Sequence, residues 1–154
     1  MKQIKRQRID VDSFRSYGSV ATRPGGPPLA EDETFRYWSD AAHFGIEGET
    51  EIGFCTVYRQ ERDEVNWMER HMQTPEVLIA VDRPFLLPVM SENGYVEAFL
   101  VESGEAVVIA RGVWHSACKP VDGDEVTYFV IFRRGTPQED VTKMDVEPLV
   151  IERA

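Results

Sequence analysis

Apolar positions along this chain recur at short range, and they alternate with polar ones more often than they follow a helical repeat. In Glu51 to Gln60, Ile52, Phe54, Thr56 and Tyr58 fall on one face, opposite Cys55, Val57 and Arg59. Further runs rich in β-branched and aromatic residues are Thr34 to Trp38, Val65 to His71, Glu76 to Val81 and Phe85 to Met90. Tyr95 to Leu100, Ala106 to Ala110 and Glu125 to Arg133 continue the series. Gly, Pro, Asn or Asp bounds most of them, so each is predicted to be a strand. Pro84 and Pro88 flank Phe85 to Leu87 and predict an edge or bulged strand there, because proline has no N–H for a ladder. A helical repeat shows only near Val11 to Tyr17, where Asp12 or Ser13 is placed to cap one short helix. Many strands with almost no helix predict an all-β sandwich or barrel.

The chain has 154 residues, 42% of them hydrophobic and 10% aromatic, which is enough for one domain with its own core. Residues 1–154 are therefore read as a single unit, with a surface loop at 22–30 around Arg23-Pro24-Gly25-Gly26-Pro27-Pro28 and an acidic tail at 136–154. Seventeen basic against 27 acidic side chains give a net charge of −10, which repels phosphate backbones and argues against nucleic acid as a partner. The basic cluster Lys2, Lys5, Arg6 and Arg8 is read as a solvated first strand or arm rather than a binding patch. No run of apolar residues is long enough for a membrane span, and the first residues are polar and basic rather than a signal peptide. Cys55 and Cys118 match no paired-cysteine pattern and are read as small buried hydrophobes, reduced in the cytoplasm.

The chemistry concentrates around two of the three histidines. In Glu69-Arg70-His71-Met72-Gln73-Thr74-Pro75-Glu76, strand parity points Glu69 and His71 together and Arg70 away, and a turn at Thr74-Pro75 returns Glu76 beside them. In the second stretch, Gly104-x5-Ala110-x-Gly112-x2-His115, a strand ends in a glycine turn that presents an imidazole. A small barrel turns alternate side chains inward, so Glu69, His71, Glu76 and His115 can converge on one ion. Two imidazoles and two carboxylates suit Mn, Fe, Ni or Zn. The plainer reading of the same residues is an interior histidine hydrogen-bonded to a carboxylate, with no metal. His43, among Ala42, Phe44 and Gly45, is read as incidental.

These two stretches resemble the paired motifs of the cupin superfamily, with Glu69 in place of a leading histidine and Ala110 in place of a proline. The resemblance implies a double-stranded β-barrel, or jelly roll, with one or two short helices. More of the chain, about residues 14 to 135, is similar to the ureidoglycolate lyase family. The similarity is carried by Phe14-x-x-Tyr17-Gly18, Arg36-Tyr37, Glu69-Arg70-His71, Glu97-Ala98-Phe99 and Gly112-Val113-Trp114-His115. It implies a homodimer that eliminates urea from ureidoglycolate to give glyoxylate, a step of purine and allantoin degradation. The chain departs from that family at Ser116-Ala117-Cys118, at Glu76, and at Tyr128 and Arg133 of what reads as the last strand.

On that reading Glu69, His71, Glu76 and His115 form the catalytic and metal-binding set, and no organic cofactor is needed. Arg59, at the end of a predicted core strand, is the cation expected to grip a substrate carboxylate, with a plain surface arginine as its other reading. Trp67, by parity with Glu69 and His71, is expected to line the interior; Tyr128 and Lys119 complete the candidate substrate contacts. Trp114 is expected on the opposite face from His115. The other readings left open are a metal-dependent cupin isomerase or oxygenase acting on a small polar acid, and a cupin that binds a small molecule without catalysis.

Overall fold

The computed structural model describes residues 1–153, and nearly all of its regular structure is strand. In chain order the strands are β1 (Lys2–Ile4), β2 (Arg6–Arg8), β3 (Gly18–Ala21), β4 (Ala30–Glu31), β5 (Arg36–Tyr37), β6 (Thr50–Tyr58), β7 (Glu64–Arg70) and β8 (Glu76–Ala80). There follow β9 (Phe85–Met90), β10 (Val96–Val101), β11 (Ala106–Ile109), β12 (Trp114–His115), β13 (Lys119–Pro120) and β14 (Glu125–Arg133). A single helical turn, α1 (Thr136–Glu139), precedes β15 (Thr142–Ile151).

Two sheets make the body. The larger runs β1-β15-β7-β12-β9-β10-β2, with β13 also on β9, and the smaller runs β3-β11-β8-β14-β6. Several connections cross between the sheets, as β7 to β8, β10 to β11 and β11 to β12 do, which is the jelly-roll arrangement expected of the sequence. The main core lies between the sheets. Phe85, Leu87 and Val89 of β9 meet Phe99 and Val101 of β10, Val107 and Ile109 of β11, and Leu78 of β8 there. Leu86 and Met90, of opposite parity on β9, join Val65, Met68, Trp114, Leu149 and Ile151 in a second cluster on the other face. The larger sheet is thus apolar on both faces along β9, and all six residues of that strand are buried.

Four expectations are corrected here. β9 is not an edge strand: it pairs with β10 on one side and with β12 and β13 on the other, and the bulged alternative is met only on that second side, where the ladder is interrupted at Pro88. Pro88 is tolerated because its carbonyl accepts from Ser116 N–H at 3.1 Å, so its missing donor falls on the side where the chain between β12 and β13 makes no ladder. Val11 to Tyr17 forms a string of turns rather than a helix. Asp10 Oδ1 accepts from Ser13 N–H at 2.7 Å, and the segment is held by fully buried Phe14, whose ring packs edge-on to Phe99 at 5.2 Å. Most of the acidic tail is β15, a strand of ten residues on β7, so β14 is not the last strand. The basic amino-terminal cluster does form short strands, β1 and β2.

Candidate metal and catalytic site

The site forms where the chain crosses from one sheet to the other. β7 ends at Arg70; His71 follows it, and the turn through Thr74 and Pro75 leads to Glu76, the first residue of β8. Thr74 is buried, and its hydroxyl accepts from Arg133 N–H at 3.1 Å while donating to the Pro75 carbonyl, which ties the crossing to β14. His115 arrives on β12, opposite Glu69 of β7 and Val89 of β9. The preceding turn needs glycine at 112, where φ is +75°. Gly112 N–H donates to the His71 carbonyl at 2.7 Å, so the two histidine-bearing segments are tied backbone to backbone.

His71, Glu76 and His115 are all buried, and one potential ligand atom from each lies within 4.8 Å of the other two. Glu76 Oε2 is 3.2 Å from His71 Nε2 and 2.7 Å from His115 Nε2. Each imidazole is oriented from behind. His71 Nδ1 donates to the Asp140 carbonyl at 2.8 Å, and His115 Nδ1 donates to the Val113 carbonyl at 3.0 Å. A carbonyl oxygen can only accept, so each Nδ1 carries the proton and each neutral ring turns the Nε2 lone pair toward Glu76. Although close, Glu76 Oε2 and His115 Nε2 do not align as a hydrogen bond, and both are buried without a hydrogen-bond partner.

Three electron-pair donors facing one another at this range need positive charge between them. A divalent cation fits, since two imidazoles and a carboxylate are a borderline donor set and the backbone carbonyls provide the outer support that ligating histidines use. Protons meet the same need. Burial opposes charge on both rings, but Glu76, with Asp140 O behind His71 and Val113 O behind His115, raises each imidazole above its ordinary range. Burial likewise opposes the Glu76 carboxylate, yet His115 and His71 outweigh it and hold that group down at about 2. Either a divalent ion or protons could therefore supply the positive charge that these three donors face.

Two cavities meet at this cluster. An inner one of about 320 Å³ is walled by Glu69, Glu76, His115, Ser116 and Tyr128, with apolar Leu78, Val130 and Phe132. An outer one of about 280 Å³ shares Glu69, Glu76 and Phe132 and adds His71, Val141 and Lys143. Glu69 is half-buried on the wall common to both, beside the three-residue cluster rather than within it. Tyr128 faces inward as a buried wall residue, its phenol pushed up by burial and by Cys118 and Cys55. Those cysteines pack in and against the main core, as expected, and also line the inner cavity; burial raises the Cys118 thiol as well.

Three expected substrate contacts are not brought here. Arg59 donates to the Val121 and Gly123 carbonyls at 3.1 and 3.4 Å and fastens a loop, because β6 ends one residue earlier and the chain turns away. Lys119 sits on β13 against β9, partly buried near Asp63, and burial lowers its ammonium. Trp67 lines neither cavity; its ring lies beneath Lys143 Nζ, 5.1 Å from the centroid. Trp114 packs in the second cluster, opposite His115, under the Arg70 guanidinium at 4.3 Å. His43 is exposed and bonds Asp40. Asp140 and Lys143, which sequence reasoning does not find, lie in or next to an exposed stretch that reads as a tail, and only Leu149-Val150-Ile151 at its end signals a strand.

The sequence model of the family described as ureidoglycolate lyase matches residues 1–152. The chain belongs to that family. Among solved structures, Bacillus subtilis oxalate decarboxylase studied for its Mn(II) centres is similar at 12% identity, over 63% of this chain and 24% of that one, with a TM-score of 0.46. The same enzyme at pH 4.6 gives 12% identity, 63% and 23% coverage, and the same TM-score. This chain spans about a quarter of the length of those proteins. No curated protein matches it. No helix among the described residues is long and apolar enough to cross a membrane.

Proposed function

We propose that this family member cleaves ureidoglycolate to glyoxylate and urea at the junction of the two cavities. The observation that supports it most is the buried convergence of His71, Glu76 and His115 beside a carboxylate, Glu69, that stays outside the cluster. His71, Glu76 and His115 would hold a divalent ion of the Mn, Fe, Ni or Zn type, which would polarise the hydroxyl and carboxylate oxygens of a bound acid. Glu69 is assigned as the base. The reacting hydroxyl and the urea nitrogen sit on one carbon, so a single carboxylate can take the hydroxyl proton and return it to nitrogen. The C–N bond breaks, the C–O bond becomes the aldehyde carbonyl, and urea leaves neutral.

Lys143 takes over the part expected of Arg59. It is the one lysine or arginine, among the described residues, lining either cavity, and its ammonium, over the Trp67 ring, would turn to meet the substrate carboxylate. Tyr128 closes the inner end. A homodimer is the assembly proposed, supported by Ile52, Phe54 and Tyr58, which are 70, 73 and 66% exposed along the edge strand β6. The two free thiols suit the reducing cytoplasm. The deciding experiment is urea release from ureidoglycolate by the purified protein, run beside metal analysis. Release is expected for the wild type, and His71→Ala and His115→Ala should lose both turnover and metal. Turnover unchanged in both variants would overturn the assignment.

A further inference from the structure

Ser116 follows His115 where the chain leaves β12, and its N–H is pinned to the Pro88 carbonyl of β9. Ser116 is 2% exposed and is one of the residues lining the inner cavity, and its buried Oγ finds no hydrogen-bond partner in the protein. A hydroxyl carries one donor and two acceptor positions, and buried hydroxyls are nearly always satisfied because leaving one unpaired is costly. The carboxylates of Glu69 and Glu76 accept, and the His71 and His115 Nδ1 protons are committed to carbonyls. The Ser116 hydroxyl is a donor beside the cluster that no protein group uses.

We propose that Ser116 Oγ is a specificity-determining contact, donating to an oxygen acceptor of the bound substrate. The matching chemistry is the carbonyl of an amide or carbamoyl group on a small acid, which would bring that end inward and leave the carboxylate toward Lys143. This rests on the reading of the two cavities as one substrate site. It gives Ser116 a cost in the free protein that binding removes.

The test pairs stability with kinetics on Ser116→Ala and Ser116→Thr. Without ligand, Ser116→Ala should melt above the wild type, since it deletes an unsatisfied buried group; a lower melting temperature would make the hydroxyl structural and overturn the proposal. With ureidoglycolate, Ser116→Ala should raise KM about tenfold, the worth of one neutral hydrogen bond, with kcat within about threefold. Ser116→Thr, which keeps the hydroxyl, should keep KM near the wild type. An unchanged KM in Ser116→Ala overturns the proposal. A wild type that releases no urea overturns the lyase reading instead, and the contact is then decided by melting with glyoxylate and with N-carbamoylglycine as probes. The carbamoyl acid should stabilise the wild type more than Ser116→Ala; equal shifts, or none, sink it.

Discussion

Glu76→Gln isolates the charge on which the site depends, because the amide keeps the side-chain shape and removes the anion. In metal-stripped protein the carboxyl stands at about 2 against an ordinary 4.5, a depression worth about 3 kcal/mol at 1.36 kcal/mol per pH unit. Removing one member of a buried ion pair costs a similar 3–5 kcal/mol, so ~3 kcal/mol is the expected loss. For a domain of this size that lowers Tm by roughly 6–12 °C. The sign with pH follows from both partners. The lowered carboxyl contributes stability above its unfolded range, and this is lost as pH falls from 4.5 toward 2. The raised imidazoles contribute fully below 6.5, and this is lost as pH rises through their folded values. Wild type minus variant, measured by urea unfolding across pH 3 to 9, should therefore be bell-shaped, greatest between about pH 5 and 7. A saturating divalent ion should raise the wild-type Tm and do much less for the variant. A difference that stays flat with pH, or a variant as stable as the wild type at pH 6, would refute the ion-pair account.

Other substitutions probe the surroundings. Asp140→Ala removes the carboxylate that accepts from Met72 and Gln73 N–H, both at 2.9 Å, and should cost about 2 kcal/mol in unfolding experiments and weaken metal retention ten- to a hundredfold. Lys143→Met should raise KM for ureidoglycolate about tenfold or more while kcat holds, with partial recovery in Lys143→Arg, as steady-state kinetics would show. Arg59→Ala should lower stability by about 1–2 kcal/mol and leave both kinetic constants unchanged, since its guanidinium serves the Val121 and Gly123 carbonyls. Gly18→Ala places a Cβ 1.8 Å from the Val108 carbonyl oxygen, where β3 lies against β11, and should destabilise by about 3 kcal/mol or fail to fold, readable by circular dichroism.

Alternation and turn residues marked out most strands of both sheets, because each strand from β6 to β11 buries a face against one core and breaks at a glycine, proline or acidic turn. The same parity placed Trp114 away from His115 and brought His71 and Glu76 together across the turn. Parity failed for Trp67, whose position depends on which strand covers β7. That strand, β15, is exposed at six of its first seven residues from Thr142, with only Val146 half-buried among them, so no buried face shows in its pattern. The supports it brings, Asp140 and Lys143, were hidden for the same reason. Arg59 misled because a position at a strand end says which side a residue leaves from, while the carbonyls of a neighbouring loop decide where its head goes. Glu69 falls between the cases: its side of the strand was legible, but its distance from a common centre is a matter of tertiary geometry.

The strut behind His71 joins residues 69 positions apart, and β1 at the start of the chain pairs with β15 near its end. On the ribosome, all three donors are made before Asp140, which steadies one of them, and before β15, which lies between β1 and β7. A nascent chain stopped before Asp140 has every ligand and no fixed ring at His71. The orientation of the His71 ring therefore depends on long-range closure of the fold, a non-local contact that forms only when the segment before β15 docks.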